Sequence, residues 1–390
     1  MRSPLPAIDL EGLGLDRGAG VLVARALRSL PVGARLDVLG ADPHLELHLT
    51  TWARAAGHGV DGTTVVKGDV EDRRWAGAAR AGSPATPALR ADPTWGLAAR
   101  GAEVEAGGPA LVADLLDRAV VWADVAPRLY AQAAASQWDP ATAVDWSATV
   151  DLPDEVERAV VQVMTYLVEN EQAALAVPAR LLVRVHPQFR EVVQLLAVQV
   201  ADEARHVEVF TRRALLSGGP MGRSTVGGRA SLQTLLDEPD FALAELLLSV
   251  LGEGTFLSLL SFLDQRAPDA VTRRVAHLAL QDEARHVAFG QAHLEHAVEA
   301  DAGLRGRLRA AIERRHVALS STSGLSSDVH DALVVLAAGA FTPGAVGRGW
   351  DAVQALQADM DEGRRRRLAR LGFPPGEAAE LSALHTRNFM

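Results

Sequence analysis

The sequence predicts a mainly helical protein: a four-helix bundle with extra helices, preceded by a small two-layer α/β module. Three observations predict it. Strand signals end near Ala110, and long apolar-periodic stretches follow. Two of these stretches carry the same pentapeptide, Asp202–Glu203–Ala204–Arg205–His206 and Asp282–Glu283–Ala284–Arg285–His286. The links between the four central stretches are short, long and short, which is the connectivity of two helical hairpins joined by one crossover.

The chain has 390 residues, of which 48% are hydrophobic, enough for a large core and too many for a disordered chain. Its net charge of −10 argues against a broad nucleic-acid-binding face. Cysteine is absent, which excludes disulfides, iron–sulfur clusters, cysteine-ligated zinc and thiol catalysis. A metal here must be held by carboxylate oxygen and imidazole nitrogen. Residues 1–10 lack an apolar core of signal-peptide length, and the longest apolar run, Phe241 to Leu263, is interrupted by Glu245 and Glu253. It reads as a buried helix and not a membrane span, and the cytoplasm is the expected location.

In chain order, residues 1–70 read as the α/β module. A helix is expected over Val21 to Leu30, a strand over Leu36 to Leu39, a helix from Leu45 to Ala56 ending at Gly57, and a strand over Thr63 to Val66. Residues 71–110, rich in Gly, Ala and Pro, read as a linker with a hairpin between Gly96 and Gly107. The helical domain occupies 111–390. Helices are expected over 111–136, 153–177, 187–215, 240–264, 268–299, 303–319, 328–340 and 346–371, with the crossover from Leu216 to Asp240.

Glu203 and His206, and again Glu283 and His286, stand three residues apart, so on a helix each pair shares one side and can reach one metal centre. Each pair lies on an apolar stripe: Val192, Leu196, Val200, Glu203, His206 or Val207, and Phe210 in one helix, and Val275, Ala279, Glu283, His286 and Gly290 in the other. Inward carboxylates need partners, because an isolated buried charge costs several kcal/mol. The other two helices each offer one more: Glu171 on the stripe Val160, Met164, Leu167, Glu171, Ala174, and Glu253 on the stripe Leu246, Val250, Glu253, Leu257, Leu260. Glu169, on another face, is the alternative to Glu171. Two divalent cations would balance four glutamates, and oxygen donors with a few imidazoles suit iron or manganese.

Other polar residues are assigned to the background. Arg205 and Arg285 read as solvated ion pairs with nearby acids, and Gln199 as a polar neighbour of the site or a satisfied core amide. His277 and His293 are placed away from the ligands, His293 by roughly 10 Å of helix axis. The run Arg364 to Arg367 reads as a solvated face beside Asp359, Asp361 and Glu362. Tyr166 reads as packing.

The twin Glu-x-x-His motifs and the two extra carboxylates resemble the ferritin-like di-iron carboxylate superfamily over about 153–299. The resemblance implies a ferritin-like fold with two iron ions, manganese or a mixed manganese/iron pair being alternatives. It implies Glu171, Glu203, His206, Glu253, Glu283 and His286 as metal ligands, with Glu171, Glu253 and Glu283 at the reacting side. It further implies Asp202 supporting His286 and Asp282 supporting His206. Ala279 stands where the N-oxygenase branch carries an additional histidine, only Tyr130 and Tyr166 are available for a radical-generating tyrosine, and the extra domains do not suit a storage shell. The implied function is a dinuclear non-haem iron oxidase or oxygenase that activates O2 against a small organic substrate. The alternative is a ferroxidase or metal-binding scaffold whose N-terminal module recruits a partner. An electron-donor protein and a homodimer are further expectations, with neither nucleic acid nor membrane as partner.

The module over 1–70 resembles the small sulfur-carrier proteins of the TusA type in Asp9–Leu10–Glu11–Gly12–Leu13, Val21–Leu22–Val23–Ala24–Arg25, Asp42–Pro43 and Trp52–Ala53–Arg54–Ala55–Ala56–Gly57–His58. That family's working cysteine follows the first motif. Here the region is Gly14–Leu15–Asp16–Arg17, so sulfur transfer is lost and a docking, regulatory or structural role is what remains.

Overall fold

The computed structural model describes residues 5–320 and 327–385. The chain forms two compact units: one comprises the chain through Ala81 together with Thr94–Ala110, the other Gly82–Pro93 and the chain from Leu111 on.

The first unit holds a four-stranded sheet made of β1 (Ala7–Asp9), β2 (Arg35–Leu39), β3 (Gly59–Asp61) and β4 (Thr64–Val66), in the order β1-β2-β4-β3. β1 runs parallel to β2, and the other pairings are antiparallel. Two helices, α1 (Ala19–Arg28) and α2 (Leu45–Ala55), bury Val23, Leu27, Leu45 and Leu49 with Leu36, Val38 and Val65 of the sheet. This is a two-layer α/β module. A short helix, α3 (Val70–Arg74), follows. The segment Gly96 to Gly107 does not fold back on itself. Instead β6 (Glu103–Val104) pairs antiparallel with β5 (Ala79–Arg80).

The second unit is helical. The expected helix over 111–136 is broken into α4 (Arg118–Val121) and α5 (Ala126–Ala135), because Trp122 is extended and Pro127 opens a new first turn. Four long elements then form the bundle. α6 (Asp154–Leu182) and α7 (Arg190–Ala214) make the first hairpin. The crossover contains a further helix, α8 (Val226–Leu236), capped by the Thr225 hydroxyl.

The second hairpin begins with α9 (Phe241–Glu245), continues through a π-helical segment (Leu246–Glu253) into α10 (Gly254–Arg266), and returns as α11 (Ala270–Ala300). It is followed by α12 (Leu304–Ser320), α13 (Ser327–Ala338), α14 (Pro343–Arg370) and α15 (Pro375–Ala383). The span Phe241–Arg266 is long and apolar enough to cross a membrane, yet it is mostly buried within the bundle.

The apolar stripes point inward. Val160, Met164, Leu167 and Val177 of α6, Val192, Leu196 and Phe210 of α7, and Val275, Ala276 and Ala279 of α11 are all buried. Only the third stripe departs from a regular helix. Its extra residue in the π turn shifts the register, so Phe256, Leu259, Leu260 and Leu263 face the core and Leu257 is only half-buried. A buried ion network fixes the far end of the bundle. Arg213 of α7 donates to Glu157 of α6 at 2.8 and 2.9 Å and to Asp269, the N-cap of α11, at 2.9 Å.

Candidate metal centre

Regular helix geometry in α7 and α11 puts Glu203 with His206, and Glu283 with His286, on the faces that meet at the bundle axis. Each of these four side chains is buried. Glu171 from α6 and Glu253 from the end of the π segment join them. The six residues fall into two interlocking groups. Glu171, Glu203, His206 and Glu283 form one, and Glu203, Glu253, Glu283 and His286 the other, with the ligand atoms of each group within 4.8 Å of one another. Glu203 and Glu283 belong to both. Glu169 is half-buried and in neither group.

Protein hydrogen bonds satisfy this cluster only in part: His206 Nδ1 lies 3.1 Å from Glu203 Oε2, and other atoms have no partner. Glu171 Oε1, Glu203 Oε1, Glu253 Oε2, both oxygens of Glu283 and His286 Nδ1 lack hydrogen-bond partners. His286 Nδ1 lies 3.0 Å from Glu203 Oε1 without the alignment of a hydrogen bond. Burial and the neighbouring carboxylates of Glu203 and Glu283 push the Glu171 carboxyl well above its usual range, and burial with Glu283 does the same to Glu253. Glu203 goes the other way: burial opposes its charge, but His286 and His206 outweigh it and hold the carboxyl low. Both imidazoles are raised well above the ordinary histidine value. Burial acts against their charge and loses to Asp282, Glu171, Glu203 and Glu283 around His206, and to Glu203, Asp202 and Glu283 around His286. Positive charge is what the cluster lacks.

A second layer orients the imidazoles. His206 Nε2 lies 3.3 Å from Asp282 Oδ2, and His286 Nε2 lies 3.2 Å from Asp202 Oδ2, so each aspartate reaches the histidine of the opposite helix. Asp282 is held down to about 2: His206, the Trp138 indole and Arg285 overcome the penalty of its burial. An ionised carboxylate only accepts, so His206 Nε2 donates to Asp282, and Nδ1 faces the glutamates, 3.1 Å from Glu203 Oε2, where a metal ion would take the place of its proton.

Trp138 Nε1 donates to Asp282 Oδ2 at 2.8 Å, and Gln137 Nε2 donates to Asp202 Oδ1 at 3.1 Å. Arg205 donates to Asp202 and, at 3.4 Å, approaches Asp282. Arg285 donates to Asp282 and lies 3.7 Å from Asp202. These arginines are not the solvated ion pairs expected of them. Both side chains are largely buried, closing a ring of two aspartates and two guanidiniums behind the imidazoles.

Gln199, one turn before Glu203, donates to Glu253 Oε1 at 3.0 Å. The Arg364 to Arg367 run is also corrected. Arg365 and Arg366 pair with Asp361 and Glu362 on the surface, but Arg364 is buried against Thr255 and Ser382. Arg367 reaches the π segment. There the Gly254 N–H bonds to Ser249 O, leaving Val250 O without its helical donor, and Arg367 Nε supplies one at 2.9 Å. A side chain at Gly254 would meet that guanidinium, its Cβ falling 2.5 Å from Nε.

Sequence reasoning missed Trp138 and Gln137, which precede the bundle by a loop and carry no local pattern. It also missed Glu245 as a buried group. Its carboxyl accepts from Ser249 Oγ at 3.1 Å, and burial pushes it up to about 7. A lone acid in a run of Leu and Ala was the available signal. His293 hydrogen-bonds Trp122 O and His277 pairs with Asp264, both away from the cluster.

Two helical hairpins with four inward glutamates and two imidazoles make a ferritin-like four-helix bundle around a carboxylate–histidine cluster that could hold metal. Among solved structures the chain is similar to R2-like ligand-binding oxidases. A variant with an aerobically reconstituted Mn/Fe cofactor is 18% identical, at TM-score 0.46, over 63% of this chain and 93% of that one. A form after photoconversion is 20% identical, at TM-score 0.44, over 66% and 92%. A variant with an anaerobically reconstituted Mn/Fe cofactor is 19% identical, at TM-score 0.47, over 63% and 92%. No protein-family model matches the chain, and no curated protein does.

Proposed function

We propose that this protein is a dinuclear non-haem metal oxidase or oxygenase that uses O2 to oxidise a small organic substrate. The observation that carries the reading is the pair of interlocking four-donor groups sharing Glu203 and Glu283, with both oxygens of Glu283, one each of Glu171, Glu203 and Glu253, and His286 Nδ1 unpartnered. Four carboxylates buried within reach of one another repel, and two divalent ions supply the four positive charges that balance them. Carboxylate oxygens with one imidazole at each position, and no sulfur, form a donor set that suits iron, or manganese with iron.

In this arrangement Glu203 and Glu283 would bridge, Glu171 and His206 would complete one position, and Glu253 and His286 the other. Bound there, two iron ions or a manganese–iron pair supply the electrons for O2 reduction. The protein does the rest. Asp202 and Asp282 hold both imidazoles with Nδ1 facing the centre. The Leu- and Val-rich faces of the four helices exclude water, and Gln199 restrains Glu253 through one oxygen while leaving the other free. Glu171 and Glu253 both line a small cleft beside the terminal ligands, with about 20 Å³ of free volume, room for a water-sized group.

The test is metal content per chain after anaerobic loading with Fe(II), with the absorption spectrum followed as air is admitted. Two irons per chain and a new absorption on exposure to air are expected. No retained metal would overturn the reading. Oxidation with release of all the iron as ferric ion would replace it by the ferroxidase.

A further inference from the structure

Glu245 of α9 is a fifth buried glutamate in the second hairpin's neighbourhood of the centre, and it belongs to neither group of metal-binding residues. Ser249 Oγ donates to its Oε2 at 3.1 Å, and Oε1 has no partner. The helix opposite is shaped around this carboxyl. Gly290 stands in the interior of α11, one turn past His286, where a glycine weakens the helix. A side chain at Gly290 would put its Cβ 2.3 Å from Ser249 Cβ and 2.9 Å from Glu245 Oε2. The glycine therefore seats the acid against the helix that carries His286.

The π segment, α4, α11 and α12 pack against α9. On α11, His286 is the charge that acts on Glu245, while His293 is turned to Phe241 and Trp122 O. On the π segment the facing acid is Glu253, which Glu245 in turn repels. Arg118 of α4 pairs with Asp124. On α12, Arg314 pairs with Glu238, Arg315 donates to Ser231 and His316 lies against Leu384 O. None of these cations neutralises Glu245. The four glutamates of the centre already balance two divalent ions, so a fifth carboxylate is left without a counter-charge and is held as the neutral acid. Oε2 accepts from Ser249, which leaves Oε1 to carry the proton.

We infer that Glu245 is a proton-holding residue of the metal centre: its Oε1 carries a proton while both metals are divalent and releases it when they lose electrons. The inference rests on the oxidase reading and adds a residue to it. Each electron that leaves makes the centre more positive by one charge, and the uncompensated acid beside it answers by ionising. Two electrons pass from the metals to the oxidant, O2. The Oε1–H bond of Glu245 breaks, its electron pair stays on the carboxylate, and the proton passes to water. The reduced centre then binds one proton more than the oxidised one, so its reduction potential falls as pH rises. The fall ends near pH 7, because burial holds the Glu245 carboxyl at about 7 and no higher.

The experiment is redox titration of the iron-loaded full chain from pH 5 to pH 8. Metal content and oxidised-minus-reduced infrared spectra are taken on the same samples. One proton per two electrons is a tenfold change in the equilibrium constant per pH unit, or about 30 mV. Below pH 7 the parent chain is expected to fall more steeply than Glu245→Gln by that amount. It is also expected to lose the carbonyl stretch of a protonated carboxyl on oxidation, a loss absent from Glu245→Gln. Ser249→Ala removes the hydrogen bond that favours the ionised form and is expected to carry the slope to higher pH. A purely structural role for Glu245 would move none of these readings.

Equal slopes in the parent chain and Glu245→Gln, with two metals held by each, would overturn the inference and leave the oxidase reading standing. A parent chain whose protonated-carboxyl band survives oxidation would overturn it whether or not the variant folds. An unshifted slope in Ser249→Ala would place the titrating group elsewhere. A chain that holds no metal at any pH would sink the oxidase reading and the inference with it.

Discussion

The two hairpins of the bundle present the same pentapeptide to the same centre, but they deliver their remaining carboxylates differently. Glu171 sits in the middle of a continuous α-helix. Glu253 sits at the end of a π segment, between two glycines, with one carbonyl turned over to Arg367. The supporting layers differ too: Asp282 takes an indole N–H from Trp138, and Asp202 an amide N–H from Gln137. The motif-bearing helices are thus near-equivalent, and the asymmetry lies in their partners. A π turn is a costly local geometry, and it occurs at one carboxylate and not at the other. The cleft closed by Arg315 opens beside that same glycine-flanked turn.

The largest break in this comparison is at a shared ligand. Glu283→Ala, which removes a member of both donor groups, is expected to lower metal content from two per chain to less than one, read by elemental analysis after Fe(II) loading. Full retention of both metals would show that Glu283 does not bridge. Next come the supports. Asp282→Asn and Asp202→Asn should each leave the fold intact and weaken metal affinity by roughly 10–100-fold. If only one of the two matters, the halves are less equivalent than their geometry.

Arg367→Ala should cost about 1–3 kcal/mol in denaturant unfolding, because Val250 O is left buried without a donor. No change in the unfolding midpoint would mean that the π turn is self-supporting.

The smallest effect sharpens a contrast along α11. His286 is raised by the acids of the centre, whereas burial pushes His293, two turns on, down to about 4. Because the folded value lies below the unfolded one of 6.5, the unfolded chain binds the proton first as pH falls. The contribution of His293 is therefore complete above pH 6.5 and is lost toward pH 4. Between pH 7 and pH 5 it should amount to about 2 kcal/mol. His293→Gln should flatten the acid limb of a stability–pH curve by that amount, and an unchanged limb would assign the acid sensitivity to the carboxylates alone.

The sequence by itself determined the helical class, the two-hairpin order and the six residues that converge. These are local facts: a carboxylate and an imidazole three residues apart share a helix face, and the apolar stripe around them says which face is buried. Even the cross-pairing of Asp202 with His286 and Asp282 with His206 followed once the motifs were matched to a resemblance. What only the tertiary structure decided involves partners far apart in the chain. Trp138 meets Asp282 across 144 residues, Gln137 meets Asp202 across 65, and Arg367 meets Val250 across 117. The same distance hides the burial of Arg364 and Arg315, which in sequence look like any arginine on a charged helix. The π turn is legible in neither stripe nor motif, because the hydrophobic run 241–263 reads equally well with 3.6 residues per turn. It takes the packing of α10 against α11, and a guanidinium from α14 to donate to the freed carbonyl, to make the wider turn the stable one.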